Sequence, residues 1–526
     1  MSLADQLLGR TTILADRASD RLNPILVKET RQAAQGTLFS TVYLLLVGIS
    51  WLVLLFGTLA MWEAHETQPT AEIFWAWYYG VLSFAAFVVV PFGTYRSLLT
   101  ERESHTLDLL TITSLTPKQI IRGKLSTSLV QAAVYSSAIA PFIAFTSMLQ
   151  GFDTAWVVWV LAMSVLWCMA LCVGSLATGV ASRHNQWQSA NLVGLIVLLM
   201  IAWIVVLTFV LGGGQREVDF EDADFWWVNL AGVLLVLSYI LLAGQIVIAR
   251  LTFAAANRST GIRLVLVGQF WTAAVVLGVM YLLDHSIFRD HSFLPVVSLL
   301  ALIQWAVIGL FLTSESDFLS RRIRRRLPAR RLSRLLVYPL LPGGTSGLAL
   351  VYVHLVVIAV LAFAMSVLKS SALDVGRAHV VLSLVATVAM WVGISALLGR
   401  KLRKLSHRFT PVHTRVLVVV LFVAIQLITM VPTMFTRSVG MFGRAWTGWN
   451  PFLLTDVIWD ASRARDVPGG VMAACLLLAA STIVSILVNV PALIASVKSV
   501  VVTEPPMQSH SVASPTMAST ESADAT

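Results

Sequence analysis

Three features of the chain predict an all-α fold: a polytopic integral membrane helical bundle of about twelve transmembrane helices in two sets of six. Apolar residues make up 57% of the 526 positions and charged ones 12%, with a mean hydropathy of +0.81. The apolar residues fall in continuous runs of about 20, long enough to cross a hydrocarbon layer of about 30 Å as a helix. Lys and Arg are distributed unevenly between alternate connections. A transmembrane barrel is disfavoured, because its strands would alternate polar and apolar in segments of about 10 residues.

The runs place spans at 38–61, 73–95, 125–149, 154–181, 190–211, 226–249, 264–283, 293–313, 347–368, 378–399, 416–436 and 471–497. They divide into a first set, 38–250, and a second, 262–497, joined by a short inner connection. A faint internal echo, "LTERES" at 99–104 and "LTSESD" at 312–317, follows the second span of each set. Residues 1–37 are polar and charged, so they form a cytoplasmic leader and the first span directs insertion. The end, 498–526, is rich in Ser, Thr, Ala and Pro, and reads as a disordered cytoplasmic tail.

Charge then sets orientation. With both termini cytoplasmic, all but eight of the 37 Lys and Arg fall on the inner side, as the positive-inside rule requires. Trp62, Trp75, Trp77, Trp156, Trp226 and Trp227 fall at the expected outer interface. The net charge of +10 therefore reads as topology, and nucleic acid is not an expected partner. A bacterial cytoplasmic (inner) membrane is the expected location, with membrane lipids as neighbours. Cys168, Cys172 and Cys475 sit inside spans with no His or carboxylate beside them, so they read as small buried hydrophobes; no metal or cofactor is expected.

Two polar segments stand out. In the leader, "NPILVKETRQAAQGTLF" offers Asn23 as an N-cap and Pro24 in the first turn, with Ile25, Leu26 and Thr30 on one face and Lys28, Glu29, Arg31 and Gln32 on others. Such a helix lies in the membrane interface. The second segment is "LLTERESHTLDLLTITSLTPKQIIRGKLSTSL", from Leu98 to Leu129. Thr100 with Glu103, and Thr116 with Gln119 behind Pro117, form two capping-box patterns. They predict short amphipathic helices near 101–111 and 117–124, too short to span. Leu107, Leu109 and Leu110 form the apolar edge of the first; Ile120 and Ile121 that of the second.

This segment resembles the coupling element of permease subunits of type-2 ATP-binding-cassette (ABC) exporters, which reads roughly E-x-G-T-L-(D/E)-x-L-L, then a T-P-L-S-like bend and a G-K. Glu103, Thr106, Leu107, Asp108, Leu109 and Leu110, followed by Thr113, Leu115, Gly123 and Lys124, carry the likeness, which covers about the first 250 residues. His105 stands where that family usually has Gly, and Ser114 where Pro is common. The resemblance implies that the segment, 100–124, docks on a separate cytoplasmic nucleotide-binding ATPase. The contacts it implies are Glu101, Glu103, Thr106, Leu107, Leu110, Pro117, Gly123 and Lys124.

In the second set, the Arg run "RRIRRRLPARRLSR" (321–334) reads as a topogenic patch facing anionic lipid. "WNPFLLTDVIWDASR" (449–463) offers Asn450 and Pro451 as the start of a short external helix, and resembles the one found between spans five and six of type-2 permeases.

Missing chemistry narrows the function. No phosphate loop, H-E-x-x-H or G-x-S-x-G is present, and every acidic and basic residue falls outside the spans as read from the runs. His354, in the ninth span, is the one deeply placed titratable group and reads as a helix–helix hydrogen-bond partner. A non-enzymatic permease subunit of an ABC-type exporter, driven by a separate ATPase and paired with a second copy or second permease, is the leading expectation. An ion-coupled secondary transporter and a non-transporting scaffold or assembly protein are the alternatives.

Overall fold

A computed structural model describes residues 24–64, 70–104, 116–149, 153–181, 185–212, 218–253, 256–283, 293–317, 319–325, 327–369, 372–406, 408–435, 446–451, 453–454 and 469–501. Among the described residues, twelve helices are long and apolar enough to cross a membrane and no strand occurs. The chain is a polytopic helical bundle and an integral membrane protein. Its surface agrees: α2 (Thr37–Ala64) leaves Leu44, Trp51, Leu52 and Phe56 more than half exposed, a face that only lipid can cover without cost.

The first helix, α1 (Pro24–Ala34), precedes α2. Then come α3 (Thr70–Phe84), a π-turn (Ala85–Val89) and α4 (Val90–Glu103), which together make the second span. α5 (Pro117–Thr146), α6 (Thr154–Ala181), α7 (Asn185–Leu211), α8 (Ala223–Leu251) and α9 (Thr260–Leu282) follow. Pro91 explains the π-turn. It has no N–H for the carbonyl of Phe87, and its ring crowds that carbonyl. The helix widens, and the Val90 N–H reaches back five residues to the carbonyl of Ala85.

The chain forms two compact units that divide between His291 and Ser292. Of the twelve spans among the described residues, seven fall in the first unit and five in the second. The connection after α8 is tightly bonded. The Arg258 Nε donates to the Thr252 carbonyl at 2.8 Å, and Asn257 Oδ1 accepts from the Thr260 N–H at 3.1 Å. These bonds hold α9 against α8 as a helical hairpin. Arg263, in the first turn of α9, is fully buried and donates to Ser259 Oγ at 2.9 Å.

The first unit packs around Tyr78, Ile139, Phe142 and Cys172, contributed by α3, α5 and α6. The second unit contains α10 (Phe293–Thr313), the short α11 (Arg321–Arg325) and α12 (Arg331–Val337), α13 (Gly344–Lys369), α14 (Ala372–Leu405), α15 (Pro411–Phe435) and α16 (Gly469–Val501). Met390, Trp391, Leu454 and Leu478 lie at its core. His354 is buried, with Nδ1 2.8 Å from the Leu350 carbonyl on its own helix and its ring stacked on Trp305 of α10.

The Arg run is not uniformly a surface patch. Arg321, Arg322, Arg324 and Arg325 are exposed, but Arg334 is buried and donates to the carbonyls of Pro328 and Val501. Asn450 does start a turn, accepting from the Leu453 N–H at 3.3 Å. The rest of that expected external segment, 455–463, and the tail after Val501 lie outside the described residues.

Candidate functional site

At one end of the first unit, Lys124 is the organising residue. It sits two turns into α5, is 2% exposed, and has three oxygen atoms around its Nζ. Glu29 Oε1 of α1 is 2.5 Å away, Glu101 Oε2 of α4 is 3.0 Å away, and Ser97 Oγ of α4 is 3.1 Å away. One ammonium group therefore ties three helices together. An ammonium carries three donors, so a dry site needs about three oxygens to replace its water. Glu29 is itself buried, and that burial pushes its carboxyl above the ordinary value of 4.5; Lys124 opposes the shift, Glu101 reinforces it and Lys28 opposes it.

The surroundings extend the clamp. Thr94 and Ser128 hydrogen bond at 2.6 Å between α4 and α5. The Arg102 guanidinium donates to the Gly179 carbonyl of α6 at 3.2 Å, and the Gln188 amide of α7 donates to Glu103 at 3.1 Å. Leu98, Ile121, Leu176 and Val247 form an apolar layer beside these groups. Residues 104 and 116, which bound the stretch 105–115, thus leave and re-enter a base built from α1, α4, α5, α6, α7 and α8.

Several expected contact residues are placed differently. Thr100 does not cap a new helix: it lies inside α4, where its hydroxyl donates to the Arg96 carbonyl at 3.0 Å. This back-bond to the preceding turn satisfies Thr without ending a helix. The short helix expected near 101–111 is therefore, over its first three residues, the last turn of the second span. The Thr116–Gln119 capping box does form, with Pro117 in the first turn, but it opens the 30-residue helix α5 and not a separate short one.

Gly123 and Lys124 are buried, and Glu101 is engaged with Lys124. Gly123 and Lys124 present no surface to a partner, whereas Glu101 is half-buried. Glu29 also departs from its expected exposed face: it shares the buried side of α1 with Ile25, one turn before it, while Lys28 is exposed. Glu103 is exposed and Pro117 half-buried. Asn23, Thr106, Leu107 and Leu110 lie outside the described residues.

The opposite end of the same unit is aromatic. Trp75, Tyr79, Trp156 and Val160 form its apolar layer. Of the tryptophans expected at a membrane interface, Trp77 and Trp226 are exposed, but Trp75 and Trp156 are turned inward, at 4% and 1% exposure. Between α2, α3, α6 and α7 this end has a half-open cavity of about 820 Å³.

Among the described residues no cluster of His, Cys, Asp or Glu could hold a metal ion, and Lys124 stands between two carboxylates. Movement of any one of α1, α4 or α5 must carry the others or break a desolvated ion pair. Compared with protein-family models, with curated proteins and with solved structures, the chain finds no match.

Proposed function

We propose that this chain is the membrane-spanning permease subunit of an ABC-type exporter, driven by a separate ATP-hydrolysing subunit that docks on the stretch 105–115. The observation that carries the reading is the Lys124 clamp. A coupling element needs stiff roots, so that a push on it shifts whole helices in place of bending a loop. Here the roots are α4 and α5, fastened to each other and to α1 by ion pairs sheltered from water. Above the clamp, the π-turn divides the second span, giving the upper half α3 a joint about which to respond. On this reading the base faces the cytoplasm of a bacterial inner membrane.

The stretch "HTLDLLTITSL" (105–115) supplies the docking side chains, with Leu107 and Leu110 as the apolar anchors. The test is ATP hydrolysis that co-purifies with the tagged chain from its native membranes. Replacing Leu107→Asp and Leu110→Asp together should bring that activity to background while the chain still inserts and elutes as the wild type does. Undiminished co-purifying hydrolysis would remove the docking assignment.

One observation favours a second reading. Glu29 and Glu101 are acids partly sheltered from water around a lysine, a grouping that ion-coupled carriers also use. Its position at the end of the bundle, and not near the midplane where such carriers bind their ions, makes it the weaker account. Uptake or efflux driven by a proton gradient alone, in vesicles without ATP, would establish it.

A further inference from the structure

The cavity at the aromatic end of the first unit has a chemistry that the coupling reading does not use. Its wall includes Trp75, Trp77, Trp156 and Trp203 and, among the described residues, one charged group, Glu72. No described Lys, Arg or His lines it. Glu72 is half-buried in the first turn of α3, and among the described residues no cation pairs with it. Trp203 already donates its indole N–H to Ser83 Oγ at 3.2 Å. Trp75 and Trp156 are buried with their rings stacked on Tyr79 and Trp159, so they back the wall, while Trp77, 61% exposed, offers the site its ring surface. The volume of about 820 Å³ lies within the range of about 300–1,000 Å³ typical of small-molecule sites.

We infer that this cavity binds a small lipophilic monocation, a quaternary ammonium or phosphonium with an apolar body. Tryptophan rings attract a cation through their negative faces, most strongly where water is excluded. Glu72 supplies the balancing charge at the rim. The remaining wall, with Ile49, is apolar and accepts the body of the molecule. An anion would sit against Glu72 with no cation among the described lining residues to balance it. A phosphocholine lipid would bring a phosphate to the same carboxylate, so the zwitterionic headgroup is the poorer occupant.

As a transport substrate site the inference rests on the permease reading; as a binding site it stands apart from it. The full-length chain, reconstituted in phosphatidylcholine nanodiscs without nucleotide, is titrated with radiolabelled tetraphenylphosphonium, and separately with tetraphenylborate, a matched anion. Empty nanodiscs give the partitioning background.

Saturable binding of the cation at one site per chain is expected, with none for the borate. Glu72→Gln should weaken the cation by about tenfold, and Trp77→Leu, at an exposed apolar position, by a few-fold. Both variants should retain the wild-type elution profile. Cation uptake that only tracks empty nanodiscs, equal binding of the borate, or unchanged affinity in Glu72→Gln would each overturn the inference. Saturable cation binding in a chain that never recruits an ATPase would keep the site and sink the permease reading.

Discussion

Residues 99–104 in the first unit and 312–317 in the second share a pattern of Leu, Thr and acids at the end of a long helix, yet they fasten their units by different physics. In the first, Glu101 joins Glu29 on a buried lysine, and three helices are held by charge. In the second, the acids bind backbone. Asp317 accepts from both the N–H and the hydroxyl of Thr345, at 2.8 and 2.9 Å, and Glu315 accepts from the Gly343 N–H at 3.2 Å. Arg403 donates to the carbonyls of Ser314 and Glu315.

The second arrangement caps a helix start, where unpaired amides and the helix dipole favour a carboxylate. That joint also reaches across helices, since Thr345 bonds Ser496 of α16 and Arg403 belongs to α14. A buried ammonium with two carboxylates couples separate helices through charge. The same sequence echo therefore ends in a charge-paired joint in one unit and a hydrogen-bonded joint in the other.

The contrast can be broken most forcefully at Lys124. Lys124→Met leaves two carboxylates facing each other in a sheltered site, and should destabilise the first unit by about 3–5 kcal/mol, read from denaturant unfolding in micelles. Because the penalty lies in the orphaned acids, adding Glu29→Gln and Glu101→Gln should restore much of it. Additive losses across that set would mean that the three groups do not act together.

A smaller effect is expected in the second unit. Asp317→Ala removes one cap and should lower stability by about 1 kcal/mol, because the carboxylate is held mainly by the N–H and hydroxyl of Thr345. A loss as large as that of Lys124→Met would erase the distinction between the two joints.

The smallest and most diagnostic effect concerns pH. Burial raises the Glu29 carboxyl above its ordinary value of 4.5, so the folded state holds this proton more tightly than the unfolded state does. The stability tied to it is complete below pH 4.5 and is lost as pH rises through the raised folded value. Glu29→Gln has no such proton, so it should match the wild type at low pH and become relatively more stable as pH rises. The penalty of Lys124→Met should correspondingly shrink on acidification. A pH-independent gap between wild type and Glu29→Gln would contradict the burial of this acid.

Much of the bundle was legible because a bilayer imposes a single strong rule: about 20 apolar residues in a row. The fourth span, 154–181, coincides with its helix, Thr154–Ala181. Legibility stopped where helices outran their apolar runs. The second span read as 73–95 but continues to Glu103, and the third read as 125–149 but begins at Pro117. Those added turns hold Ser97, Glu101 and Lys124, the residues of the clamp.

No local signal could have paired Lys124 with Glu29, 95 positions away. Periodicity around Glu29 put it on the polar face, and only the packing of α1 on α5 turned that face inward. Thr100 misled for a different reason: Thr and Ser serve as caps in one setting and as back-bonding residues inside a helix in another, and the sequence Thr-x-x-Glu is the same in both. The Arg258 and Asn257 bonds that attach α9 to α8 likewise lie in a stretch that reads simply as a polar connection.

Site-specific photocrosslinking from position 107 in native membranes tests the central claim most directly. The account predicts a covalent adduct with a second protein that binds ATP, formed in the wild-type background and lost when Lys124→Met loosens the base. Adducts with lipid or with a second copy of this chain alone would contradict it.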